Sequence, residues 1–280
     1  MRRLWPRGGL WRHHDFLRLW GSQSVSQVGT QISLLALPLA AIITLEASAF
    51  EVAMLSVMEY VPWLVLALPT GVWVDRAARR PLLIAADYGR AVALGSIPLV
   101  YFLGGLSIWQ LYAVALVAGA LTVFFDVAYM SYLPSLVGRD SLVEGNAKLE
   151  VSRSVAQVAG PGLGGVLVAA ITAPYAIAVD AVSFVGSGLL LNRIRAEEHV
   201  PPASARRSMR HELAEGLRYL VRHRYWRPIT ASTGSANLFQ NISWAVILVY
   251  AVRQLDMSAG VIGLVFTLSA LGGVAGAAAA

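Results

Sequence analysis

The chain has 280 residues, of which 57% are hydrophobic and only 14% are charged. Soluble domains carry about 25% charged residues, so water alone could not solvate this surface, whereas apolar runs of about 20 residues match the hydrocarbon core of a bilayer. The net charge of +6 is carried almost wholly by arginine between apolar runs, which argues against nucleic acid as the partner, and the absence of cysteine excludes disulfides, thiol chemistry and cysteine-based metal sites.

Residues 1–15 form a basic tail (Arg2, Arg3, Arg7, Arg12) read as poorly ordered and cytoplasmic. It runs straight into a full-length span, so no cleavable signal peptide is read. The apolar pattern predicts spans at about 17–45, 50–74, 82–103, 108–133, 147–171 and 175–192. They form a six-helix transmembrane bundle over 16–192. A polar linker follows at 193–227, then a seventh span at 228–252 and an eighth from about Ser258, within a segment 228–280. In the linker, Met209, Leu213, Leu217, Leu220 and Val221 fall on one helical face and Arg210, Arg218 and Arg222 on another. That pattern predicts an amphipathic helix lying under anionic lipid headgroups; a partner-binding helix is the alternative.

Loop charge sets the expected orientation. Basic residues gather in the N-terminus, the 75–80 loop, the 135–153 region and the linker, while the alternate loops hold a single one, Arg253. Arginine-rich loops are cytoplasmic, which places the N-terminus inside and makes the chain a multi-pass protein of the plasma (inner) membrane.

A bundle, a linker and the start of another bundle suggest a two-fold repeat. Comparing span one (near Phe16) with span seven (near Pro228) gives an offset of about 212 residues, and places a second copy of the 71–81 loop near 287, past Ala280. The expectation is therefore a C-terminally incomplete transporter, either a piece of a longer protein or the product of a truncated gene.

That loop reads Gly71-Val-Trp-Val-Asp75-Arg76-Ala-Ala-Arg79-Arg80-Pro81. Arginines in an inner loop anchor topology by themselves, but topology does not require an acid. Gly71 is read as allowing close helix approach, and Asp75 as complementing a positive helix end. Span five carries Gly160-Pro161-Gly-Leu-Gly164-Gly165, where proline removes a helix hydrogen bond and glycine removes bulk. Four ionisable residues, Asp87, Arg90, Asp126 and Arg153, lie in spans three to five at about 9–12 Å from the basic face, counting about 1.5 Å per residue. Two acids and two arginines at one depth predict a mutually paired network with a structural or gating role, and Asp126 is expected to reach Arg76 or Arg79. Glu59 and Asp180 lie in the outer halves of spans two and six with no arginine of the first six spans at their depth. Glu59, Asp126 and Asp180 are the candidate proton carriers. Gln23, Gln27 and Gln31 recur every four residues in span one, and Asn237, Gln240 and Asn241 sit in span seven. These stripes either line a cavity or make interhelical hydrogen bonds.

The 71–81 loop resembles the signature of the major facilitator superfamily of secondary transporters, roughly G-x-L-A-D-R-x-G-R-R, with Trp73 and Ala78 as departures. The Gly160 stretch is similar to the G-P-x-x-G-G motif of proton-coupled antiporters. Phe125-Asp126-Val-Ala128 through Leu133-Pro134, and Asp180-Ala181-Val-Ser183-Phe184, resemble a bacterial subgroup of drug, macrolide and siderophore exporters. The arginine motif usual in span four is absent. The resemblance implies an all-α polytopic membrane protein of major facilitator fold, with the six-helix N-terminal bundle and the first two helices of the C-terminal bundle. It also implies that Gly71, Asp75, Arg76, Arg79 and Arg80 form a cytoplasmic gate latch, and that the central cavity lies along spans one and seven. The implied function is proton-coupled export of an amphipathic small molecule such as a drug, macrolide or siderophore, by rocking of two halves. The alternatives are a non-transporting membrane protein (a truncated relic, a scaffold or a sensor) and a facilitator working in the uptake direction. No catalytic constellation, metal-ligand spacing or P-loop is present, so neither an enzyme nor a cofactor is expected. The expected partners are a small-molecule substrate, protons and the anionic bilayer surface; the sequence does not fix an oligomeric state.

Overall fold

The computed structural model describes residues 9–196, 218–219 and 222–279, and among them there is no strand. The helices are α1 (His14–Leu39), α2 (Ala49–Val74), α3 (Arg79–Phe102), α4 (Ile108–Val137), α5 (Leu142–Ile171), α6 (Ala173–Asn192), α7 (Trp226–Arg253) and α8 (Ala259–Ala279). The first six are long and apolar enough to cross a membrane, α1 with its continuation to Thr44. The chain is an all-α polytopic membrane protein. The predicted tail (Arg2, Arg3, Arg7) and the amphipathic face of the linker fall almost wholly outside the described residues.

Local chemistry explains the helix ends. His13 caps α1, its Nδ1 accepting from the Phe16 N–H at 3.0 Å. Ser48 and Glu51 form a reciprocal capping box at the start of α2, satisfying N–H groups that no helical carbonyl can reach. Ahead of α1, Leu10–Arg12 make a 3-10 turn, which is more order than the tail reading foresaw. Its Leu10 N–H donates to Glu144 at 3.2 Å, and Lys148 lies 4.0 Å from the Trp11 ring centroid. The proline at 134 does not stop α4. That helix continues to Val137 and ends at Gly138, whose φ of 74° suits glycine.

α1 packs on α5 and α6, α3 on α4 and α6, and α2 on α4, while α5–α8 and α2–α7 join the bundle to the last two helices. Two apolar cores result. One, with Leu35, Leu39, Leu55, Leu94, Ile97, Ile177 and Phe184, also takes in Leu248 and Ile262. The other, with Phe16, Leu19, Leu83, Phe125, Tyr132 and Leu191, lies toward the arginine-rich ends. A thin layer of buried polar groups, Asp87, Arg90, Asp180, Ser183 and Ser187, sits on α3 and α6.

The repeat is visible in the backbone. Leu45-Glu46-Ala47-Ser48-Ala49 between α1 and α2 corresponds to Leu255-Asp256-Met257-Ser258-Ala259 between α7 and α8. Glu46 and Asp256 share a φ of 52°. The Leu45 and Leu255 N–H groups each bond a carbonyl five residues back at 3.2 Å, and those of Ala47 and Met257 bond one six residues back at 2.9 and 3.0 Å. Two segments 210 residues apart adopt one uncommon turn.

Candidate functional site

Asp87 and Arg90, one helical turn apart on α3, form an ion pair with Asp87 fully buried. Ser187 Oγ of α6 donates to the second Asp87 oxygen at 2.6 Å. The Arg90 guanidinium lies between two rings, 4.3 Å from the Phe125 centroid and 4.1 Å from that of Phe184, so the cation is stabilised by π faces as well as by its carboxylate. The pair lies where the two cores meet, with Phe125 in one and Phe184 in the other.

The four-member network is not formed as expected. Arg153 is exposed and stands 4.0 Å from Glu150 on its own helix. Asp126 feels the charges of Arg90 and Arg153, but among the described contacts none joins it to Arg76 or Arg79. Equal depth along a bundle does not set the direction in which a side chain points. Depth misleads for Asp180 as well, which was set apart from every arginine. It lines one cavity with Arg90 and accepts from Ser183 Oγ at 3.1 Å.

That cavity, of about 120 Å³, is walled by Thr30, Ser33, Glu59, Tyr60, Arg90, Thr122 and Asp180 with apolar neighbours. A second, of about 580 Å³, opens between α1, α2, α5, α7 and α8 and is walled by Gln31, Ser56, Glu59, Tyr60, Gln157, Pro161, Trp244 and Phe266 among others. Glu59 and Tyr60 face both. Gly119 of α4 helps to place this segment: a Cβ there would stand 2.4 Å from the Glu59 carbonyl oxygen. Trp244 and Phe266 meet edge to face, with centroids 5.1 Å apart, forming an aromatic corner of the larger cavity.

Of the polar stripes, Gln31 lines the larger cavity. Gln23 is buried with its amide nitrogen unpaired among the described residues, and Gln27 is half-buried. Asn237 is exposed and donates to the Thr233 carbonyl at 2.9 Å, Gln240 is exposed, and the side chain of Asn241 lies outside the described residues. Tyr60, Gln157, Trp244 and Phe266 escaped the sequence reading. Only the pairing of Tyr60 with a charged neighbour in an apolar span could have signalled one of them.

The glycine-proline stretch of α5 serves two contacts. A Cβ at Gly160 would lie 2.2 Å from Gln31 Cβ and one at Gly164 would lie 3.3 Å from Ile32 Cα, both on α1. A Cβ at Gly165 would lie 2.5 Å from the Ala259 carbonyl oxygen and 2.9 Å from Gly263 Cα, on α8. Pro161 lines the larger cavity between these contacts.

In the 71–81 loop, Arg80 Nε donates to the Leu191 carbonyl at 3.1 Å and its Nη2 to that of Asn192 at 2.5 Å. It thereby satisfies carbonyls at the negative end of α6. Arg76 and Arg79 are half-buried. Two readings change. Nothing lies within 4 Å of a Cβ built on Gly71, so no described helix needs that position small. Asp75 is the C-cap of α2, exposed at a negative helix end rather than a positive one.

Fold and site together define a polytopic membrane protein with a cavity between two sets of helices, the architecture of a transporter. A family model described as a transmembrane secretion effector matches residues 10–280, and the chain belongs to that family of the major facilitator superfamily. It is 28% identical over 184 residues to the multidrug efflux pump Tap of Mycolicibacterium fortuitum, covering 62% of this chain and 44% of that protein. It is 26% identical over 183 residues to macrolide efflux protein A of Streptococcus pyogenes (64% and 44%). To the uncharacterized MFS-type transporter YfiS of Bacillus subtilis it is 25% identical over 209 residues (74% and 49%). The chain spans about half the length of the curated relatives it matches. No solved structure matches it significantly.

Proposed function

We propose that this chain belongs to a proton-driven exporter of amphipathic small molecules, with the arginine-rich loops on the cytoplasmic side of the plasma membrane. The observation that carries this reading is the shared wall of the two cavities. A carboxyl at Glu59 borders a small polar space with Arg90 and Asp180 on one side and a substrate-sized space with Trp244 and Phe266 on the other. A proton gained or lost at Glu59 changes the charge presented to both. The larger cavity, with aromatic faces, two amides and one carboxyl, suits a ligand with a broad apolar body and a few polar groups. The names of two relatives, a multidrug efflux pump and a macrolide efflux protein, support the same class.

Around this centre, Asp87, Arg90 and Ser187 hold the helices in register. Asp180 and Asp126 are the secondary candidates for proton exchange, and Asp75, Arg76, Arg79 and Arg80 form the cytoplasmic gate. The test uses everted vesicles carrying the full-length protein and an imposed pH gradient, acid inside, with a fluorescent lipophilic cation and a macrolide as probes. Uptake should follow the gradient, and Glu59→Gln should remove the gradient response while probe binding remains. Gradient-driven uptake that survives in Glu59→Gln refutes the assignment of Glu59; uptake indifferent to any gradient refutes antiport.

A further inference from the structure

The connections on the face opposite the arginine-rich loops, with the first turn of α2, carry Glu46, Glu51 and Asp256 but a single cation, Arg253. Arg253 ends α7, and one of its nitrogens, Nη2, donates to the Glu46 carbonyl at 2.8 Å and to the Ala47 carbonyl at 2.6 Å. These acceptors lie more than 200 residues away in sequence, at the end of α1, and Glu51 also feels the Arg253 charge. The duplicated turn explains the geometry. It brings the C-terminal ends of α1 and α7 to one face, and each end carries partial negative charge. Glu46 and Asp256 stand at these ends, and Arg253 is the one side-chain cation placed among them. The repeat is broken at this position: the residue corresponding to Arg253 in the first copy is Ile43, which is half exposed.

The two ends of the α2–α7 joint differ. Near Arg253, Leu248, Val249 and Ala251 of α7 share a core with Val52 and Leu55 of α2. Toward the arginine-rich end, α7 is exposed over residues 226–237, and Leu64, Leu68 and Trp73 of α2 are exposed. Among the described residues, the shared core of the two helices lies at the Arg253 end.

We propose that Arg253 is a reversible latch that keeps this face closed in one state of the transport cycle and releases it in the other; this rests on the transporter reading above. The chemistry suits a contact that opens every turnover. The side chain is exposed and its acceptors are backbone carbonyls at the rim, so water replaces each partner on opening and the cost is modest. A buried pair such as Asp87–Arg90 could not be broken at that cost.

These 280 residues hold no cysteine, and any cysteine elsewhere in the full-length protein is replaced by serine for the test. Ser56→Cys places one thiol on the larger cavity in the full-length protein, and a membrane-impermeant maleimide is applied from the face bearing Arg253. Arg253→Met should raise the labelling rate roughly three- to tenfold, the range for losing an exposed charge-assisted contact. Arg253→Lys should stay near the parent rate, because one ammonium can serve both carbonyls as the single Nη2 does. Raising the salt concentration should speed labelling of the Arg253 protein and leave Arg253→Met unchanged, a comparison that holds even if the variant yields little protein. Equal rates for the parent and Arg253→Met, Arg253→Lys behaving like Arg253→Met, or no salt response would each overturn the latch. Labelling needs neither gradient nor substrate, so the latch can fail while proton-driven uptake stands, and the reverse.

Discussion

Gly165 offers a test of the contact between α5 and α8 with a calculable size. A Cβ at this position would meet the Ala259 carbonyl oxygen at 2.5 Å and Gly263 Cα at 2.9 Å, where ordinary contact begins at 3.4 Å. Both obstacles are backbone, so no rotamer change relieves them, and Gly165→Ala must part the helices by about 1 Å. A gap of that size forfeits a quarter to a half of the dispersion energy of the atoms facing it, and overpacking of this kind costs about 1–3 kcal/mol. Alanine returns up to about 1 kcal/mol through its better helix propensity, and Gly71→Ala measures that gain alone, since nothing lies within 4 Å of a Cβ there. Gly162→Ala is the informative contrast. The nearest atoms to its Cβ all belong to the Thr267 side chain, with Oγ1 closest at 2.7 Å, so adding Thr267→Ala should restore it. Thermal unfolding of purified full-length protein reads all four. Gly71→Ala should be neutral or slightly stabilised, Gly165→Ala lowered by several degrees at about 2–4 °C per kcal/mol, and Gly162→Ala lowered and then rescued. If Gly165→Ala unfolds at the same temperature as Gly71→Ala, the two helices do not meet as described.

Asp87→Asn leaves a buried guanidinium between Phe125 and Phe184 without its carboxylate and should cost about 3–5 kcal/mol. Asp87→Asn combined with Arg90→Met should recover part of that loss in the same thermal assay, and an unshifted single variant would refute the pairing. Ser187→Ala removes a donor to the buried Asp87 carboxylate and should cost about 1–3 kcal/mol. Arg80→Ala should act locally, exposing the Leu191 and Asn192 carbonyls. Faster amide exchange over 190–194 with little change in global unfolding is the expected result, and a purely global effect would contradict the clamp.

The six spans were legible because a run of about 20 apolar residues has few other physical solutions. Their ends were less so. The fourth span is predicted to end near 133, yet α4 runs on through Pro134, because a proline in the last turn removes one hydrogen bond and leaves the preceding turns intact, and Gly138 ends the helix. The charged residues show what spacing can and cannot carry. Asp87 and Arg90 share a face because they are three apart on one helix, and that pair formed. Asp126 and Arg153 were grouped with them by depth alone, and the angular position of each helix, which no single-chain pattern specifies, left Arg153 exposed beside Glu150. Asp180 was separated from Arg90 by the same counting, although an arginine side chain spans more than a helical turn and both line one cavity. The glycines of α5 were legible as a close-packing surface, but that the surface serves α1 on one side and α8 on the other follows only from the assembled bundle.

The duplicated turn sharpens how the two repeats divide the work. Helix starts, which fray, gave an offset near 212, whereas the turn fixes it at 210 because a positive-φ acid followed by a capping serine tolerates no slippage. The turn and its acid are repeated, but the charges inside the helices are not. Residues 228–252 and 259–279 contain no Asp, Glu, Lys or Arg, while α2, α3 and α6 bring Glu59, Asp87, Arg90 and Asp180 into the interior. The larger cavity accordingly takes its carboxyl from one repeat and its aromatic corner from the other. Within these residues, α7 and α8 bring no second carboxyl to the larger cavity. In the proposed cycle, proton exchange in this part of the molecule must therefore be read through the wall at Glu59 and Tyr60, the polar pair that borders both spaces.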